Sequence, residues 1–182
     1  MKTIIMTAII IEVQKELVNQ PYDLAHDITH HYRVFENCMD ITRSEKLKAN
    51  LELLTLSAWV HDLGGRRGED EKKIKNILKK GGCESELIIR VIQTIHEHSF
   101  GTKQHSLESQ ILFDADKLEY VHPIRLGLFL RAVKDGYINR KRYIEYKNEW
   151  KERINKVEDL LHFPYSKHIF STSLSQATKI MT

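Results

Sequence analysis

Apolar residues recur at intervals of three and four along nearly every segment of the chain, the spacing that gives an α-helix one buried face. No stretch reads as a strand. Short turn signals divide the pattern into nine predicted helices, over residues 3–19, 24–41, 44–63, 69–80, 84–98, 106–121, 123–135, 140–162 and 166–180. "NQPYD" separates the first two, "GGRRG" and "KKGGCES" punctuate the middle, and "FPYS" breaks the chain near its end. Pro123 suits a first helical turn, where a missing N–H leaves no bond unmade. The pattern predicts a compact all-α, multi-helix bundle, one domain over residues 1–182.

Two charged runs add no chemistry. "EDEKKIKNILKK" reads as a solvated helix with Ile74, Ile77 and Leu78 turned inward. "NRKRYIEYKNEWKERINKVEDLL" reads as a long surface helix packed through Tyr143, Tyr146, Trp150, Ile154 and Val157.

Composition narrows the class. With 182 residues, 41% hydrophobic and 29% charged, the chain can bury a core without disulfides or structural metals. A net charge of +3 is too mild for a protein that coats nucleic acid, and no nucleic-acid partner is expected. Cys38 and Cys83 match neither a disulfide framework nor a zinc spacing, so a reducing, cytoplasmic setting is expected. The apolar run from Ile4 to Ile11 is too short to span a bilayer, and Glu12, Lys15 and Glu16 continue it as an amphipathic helix rather than a signal peptide.

Three places put ionisable groups where an apolar face should continue. In "DLAHDITHHYRVFENC", His30 shares a face with Val34 and Cys38, with His26 one turn earlier. In "LSAWVHDLGGRRGED", His61 follows the inward stripe of Leu54 and Ala58, and Asp62 stands beside it. In "ESQILFDADKLEY", Asp116 lies with Leu112, Phe113 and Tyr120. Burying such groups unpaired costs on the order of several kcal/mol each, comparable to the whole stability of a marginal domain. A shared cation removes that cost. Two imidazoles and two carboxylates, with positions left for water, suit a divalent metal such as Mn, Fe, Co, Ni or Mg, and helical bundles hold such ligands between facing helices.

"HDITHHYRV", "LSAWVHDLG" and "ILFDADKLEY", in that order, resemble the HD-domain superfamily of metal-dependent phosphohydrolases, whose pattern is H…HD…D on a helical bundle. The match covers about residues 20–135 and leaves residues 136–182 without a role; they could cap the bundle, cover the pocket or form a homo-oligomer face. The resemblance implies His30, His61, Asp62 and Asp116 as metal ligands, with Asp114 as an alternative for the last. The departure from two-metal relatives lies between Leu63 and Ile95, which contain no histidine, so one divalent ion is expected.

The resemblance implies hydrolysis of a phosphomonoester or phosphoanhydride in a small phosphorylated substrate, a nucleotide first. Asp62 would orient water, and His96 or His98 would protonate the leaving oxygen. Arg33, Arg66, Arg67 and Lys117 would bind phosphate, the arginines through their planar donor forks. Glu69 and Asp70 are weaker candidates for positioning water. Two alternatives stand beside this reading: a non-catalytic module that senses nucleotide, and a di-iron oxygenase.

Overall fold

The structure, a computed structural model, describes residues 2–19, 27–63 and 70–181. Among these residues the chain forms nine α-helices and no strand: α1 (Lys2–Asn19), α2 (Ile28–Ser44), α3 (Leu51–Val60), α4 (Glu71–Lys80), α5 (Ser85–His96), α6 (Leu107–Leu118), α7 (Pro123–Lys134), α8 (Arg140–Leu160) and α9 (Pro164–Met181). A 3-10 turn, Glu119–Val121, joins α6 to α7. No described helix is long and apolar enough to cross a membrane.

The bundle is organised around α3. Every residue from Leu53 to Val60 is buried, so this helix is enclosed on all sides, by α1, α2, α5 and α6. Ten residues are too few to hold a helix in water alone, so packing must stabilise it. Burying each leucine among Leu53, Leu54 and Leu56 contributes about 1.5–3 kcal/mol. α4 rests on α1 and α5, while α9 packs on α6 and α7. Gly81 lets α1 close onto the end of α4, because a β-carbon there would sit 2.1 Å from Ile9 Cγ1. α8 is the outlier. Of its 21 residues, Trp150 and Val157 are buried, and it packs on α9 and the 3-10 turn.

Local caps explain most of the helix starts. Asp27, Asn50, Asp70 and Asn139 each accept from a backbone N–H three residues on, and Ser106 with Ser109 forms a reciprocal capping box. The predicted helix over 44–63 is corrected by one of these caps. α2 runs on to Ser44, Lys46 takes a left-handed backbone (φ 53°), and Asn50 starts a new helix through a 3.1 Å bond from Leu53 N. The predicted starts of the second and fourth helices, residues 24–26 and 69, lie outside the described residues.

Candidate metal centre

One end of the bundle gathers the first turn of α2 and the C-terminal ends of α3, α5 and α6. Asp27 caps α2 by accepting from His30 N at 2.9 Å, which sets His30 in the first turn with its ring fully buried. His61 and Asp62 lie in the turn that closes α3, and Asp116 lies in the last turn of α6. One nitrogen or oxygen from each of these four side chains falls within 4.8 Å of all the others. His30 Nε2 is 3.1 Å from His61 Nε2, 3.6 Å from Asp62 Oδ2 and 3.5 Å from Asp116 Oδ1. His61 Nε2 is 3.5 Å and 3.8 Å from the same two oxygens.

The donor and acceptor balance gives this geometry its meaning. His30 Nδ1 lies 3.0 Å from Glu119 Oε2, and a carboxylate there requires an N–H from the ring. His61 Nδ1 likewise donates to the Ala58 carbonyl at 2.8 Å. With both rings neutral, the Nδ1 protons are thereby placed and both Nε2 atoms are left as lone pairs. In that state four acceptor atoms face one point. A divalent cation satisfies all four at once, and the carbonyl ends of α3, α5 and α6 add further negative potential. The residues therefore fit a divalent metal site.

The titration behaviour has the same cause. Burial opposes charge on His30, but Asp62 and Glu119 outweigh it and raise its pKa to about 9. Burial lowers the His61 pKa to about 4. A second proton on His30 would sit on Nε2, 3.1 Å from His61 Nε2, as a positive charge among the same four groups. Burial would raise the Asp116 carboxyl, yet Lys117 and the histidines hold it well below the usual range.

Each aspartate shares only one oxygen with the cluster. Asp116 Oδ2 accepts from Lys117 Nζ at 2.5 Å, and Lys117 is sandwiched over the rings of Phe100 and Phe113. Asp62 Oδ1 faces His98 Nε2 at 3.5 Å. His98 is buried and donates Nδ1–H to the Ile95 carbonyl; burial opposes its protonation, but Asp62 raises its pKa. Beside the cluster a cavity of about 180 Å³ opens between Asp62, His98, Phe100, Lys117, Tyr120 and Arg125. A larger cavity, about 590 Å³, lies between α1 and α4, with Glu12, Glu16, Lys72 and Lys73 on its wall and, among the described residues, no histidine or cysteine.

The other expected site residues separate. Asp114 turns away and accepts from His162 N, His162 Nδ1 and Phe163 N at 2.9–3.0 Å, which fixes the break between α8 and α9. Arg33 turns inward, with Nε and Nη2 on Glu119 and Nη1 on Thr29, and does not line the cavity. His96 is 49% exposed and pairs with Glu71, whereas His98, past the end of α5, joins the site. Asp70 is the cap of α4. His26, Arg66, Arg67 and Glu69 lie outside the described residues. Sequence reasoning missed Glu119 and Arg125. Glu119 carried a faint signal, standing three residues after Asp116 on the same helical side.

The HD-domain family model matches residues 27–121, and the chain belongs to the HD-domain family. Family and cluster together fit a metal-dependent hydrolase. Among curated proteins no sequence matches. The fold is shared with a Lactobacillus plantarum protein at TM-score 0.77 and 20% identity, covering 97% of this chain and 93% of that one. It is shared with a predicted HD superfamily hydrolase from an uncultured Thermotogales bacterium at TM-score 0.61 and 20% identity, covering 93% and 86%. Bacillus subtilis YpgQ in complex with ADP matches at TM-score 0.69 and 22% identity, covering 99% and 90%.

Proposed function

We propose that the protein is a one-metal phosphohydrolase that cleaves a phosphoanhydride or phosphomonoester bond in a small molecule, a nucleotide first. The observation that carries this reading is the convergence of four acceptor atoms, from His30, His61, Asp62 and Asp116, with both histidine tautomers set by their Nδ1 partners. A divalent cation held there supplies Lewis acidity toward a phosphoryl oxygen and a more acidic water.

The chain's own groups do the rest. Asp62 Oδ1, outside the cluster and facing the cavity, orients the attacking water and takes its proton. As the bond from phosphorus to the leaving group breaks, His98 Nε2 delivers a proton to the departing oxygen. The 3.5 Å between these two groups lets the proton return to His98 for the next turnover. Lys117 Nζ balances phosphoryl charge while keeping Asp116 aligned. A nucleotide is favoured because YpgQ, a protein of the same fold, holds ADP. A cytoplasmic setting suits the two free cysteines.

Protein loaded with Mn, Mg, Co or Ni is expected to release phosphate or pyrophosphate from a panel of nucleotides and phosphomonoesters, and His61→Ala to abolish that release. No release across the panel, with wild type and His61→Ala indistinguishable, ends the proposal. Nucleotide that raises thermal stability yet stays intact would instead identify a sensor.

A further inference from the structure

We infer that Arg125 forms a second anion subsite in the cavity, taking a phosphate of the substrate beyond the one that reacts; this rests on the phosphohydrolase reading. Two buried arginines stand near Glu119, and they are not alike. Arg33 has all three guanidinium nitrogens engaged by Glu119 and Thr29. Arg125 is 5% exposed and lines the cavity, and its Nε and Nη1, both without exposed surface, have no hydrogen-bond partner among the described residues. An unmade bond on a buried charged group costs about 1–3 kcal/mol or more, and native structures leave such groups bare mainly where a ligand or water completes them.

The surroundings hold this guanidinium ready. It lies 5.3 Å from the centre of the Tyr120 ring. Tyr120 is fixed from α8, whose Trp150 Nε1 donates to its carbonyl and whose Arg153 donates to its hydroxyl, each at 2.7 Å. Helix α8, which otherwise packs loosely, thus reaches the site. Arg125 also keeps its charge, since burial is outweighed by Tyr146, Glu119 and Asp116.

Size sets what the subsite takes. About 180 Å³ is the liquid volume of roughly six waters and below the about 300 Å³ of the smallest pockets that enclose a whole drug-sized ligand. The cavity suits a short phosphate chain whose organic part stays outside. With Asp62 and Asp116 of the cluster and Arg125 all on its wall, a substrate with adjacent phosphates makes both contacts, and a monoester makes one. Arg125 is on this account a specificity-determining residue that favours phosphoanhydrides.

The test uses metal-loaded protein, titrated calorimetrically with imidodiphosphate, a P–N–P mimic that resists hydrolysis, and with inorganic phosphate. Wild type is expected to prefer imidodiphosphate. Arg125→Gln is expected to weaken that ligand by about 10–100-fold, the size of a charged hydrogen bond, while phosphate changes by less than about threefold. Arg125→Lys keeps the charge without the fork and should fall between; it decides the matter if the glutamine variant does not fold. Unchanged metal affinity in the variant tested checks that the cluster is intact. Equal loss for both anions, no loss for either, or no preference in wild type overturns the subsite. If wild type turns over nothing yet binds imidodiphosphate through Arg125, the subsite stands and the hydrolase reading falls.

Discussion

The two faces of α6 carry aspartates two residues apart, and their neighbours differ in one respect. Asp114, fully buried, meets only donors: two backbone N–H groups and a histidine ring where α8 gives way to α9. Asp116 sends one oxygen into a group whose other members are acceptors, His30 Nε2, His61 Nε2 and Asp62 Oδ2. The first carboxylate is already satisfied by the fold. The second has Lys117 on one oxygen, and its other oxygen is satisfied when something positive arrives. A structural carboxylate and a candidate ligand carboxylate are therefore told apart by what surrounds them, not by residue type or burial.

The same substitution at both positions tests that distinction most severely. Asp116→Asn should weaken divalent metal binding by about 100-fold or more, because one ligand in four carries on the order of a quarter of the 10–16 kcal/mol seen for structural zinc sites. Its fold should survive, since the new amide keeps an oxygen for Lys117 and offers an N–H to the acceptors. Asp114→Asn should do the reverse. Its amide N–H would face the N–H groups of His162 or Phe163, costing about 1–3 kcal/mol in urea unfolding while metal affinity holds. Equal metal loss in the two variants would break the comparison.

Glu119 sharpens it as the intermediate case. It meets donors, as Asp114 does, yet one of them is His30 itself. Burial would raise its pKa, but His30 and Arg33 hold it at about 2, so it stays a carboxylate and keeps the His30 proton on Nδ1. Glu119→Gln should weaken metal binding by about 10–100-fold, the usual effect of losing an outer partner of a ligand histidine. Calorimetric titration with Mn measures it. A variant that binds metal as wild type does would reduce Glu119 to an anchor for Arg33.

How much of this was legible beforehand follows from the same physics. His30, His61, Asp62 and Asp116 were legible because ionisable side chains interrupt apolar stripes of period 3.6, and an interruption is visible in one dimension. What holds Asp114 away from the cluster was not, because the donors that claim it lie almost fifty residues away, at His162 and Phe163. Arg125 was hidden for a like reason. It sits in the first turn of α7, where an arginine reads as a surface residue until Tyr120 and α8 are seen to cover it. The break between α2 and α3 was missed because Lys46 gives no sign of its left-handed backbone, although Asn50 was a readable cap.

The mildest test asks whether a proton really occupies the cation's place when metal is removed. In metal-free protein His30 titrates at about 9 against an ordinary 6.5, so its stabilising effect is complete below pH 6.5 and disappears as pH rises to about 9. His61, lowered to about 4, acts oppositely: its contribution is present above pH 6.5 and is lost as pH falls to about 4. Metal-free protein should thus be most stable near neutrality and lose up to about 1.4 kcal/mol per pH unit between pH 7 and 9. In metal-saturated protein His30 holds its Nδ1 proton but no second one, and the unfolded chain's imidazole is likewise neutral in that range, so this decline should vanish. Urea unfolding at pH 7, 8 and 9, with chelator and with saturating magnesium, compares the two slopes. Parallel slopes would mean that the proton and the metal do not compete for one place. The place beside Asp116 would then be no emptier than the one beside Asp114, which donors already fill.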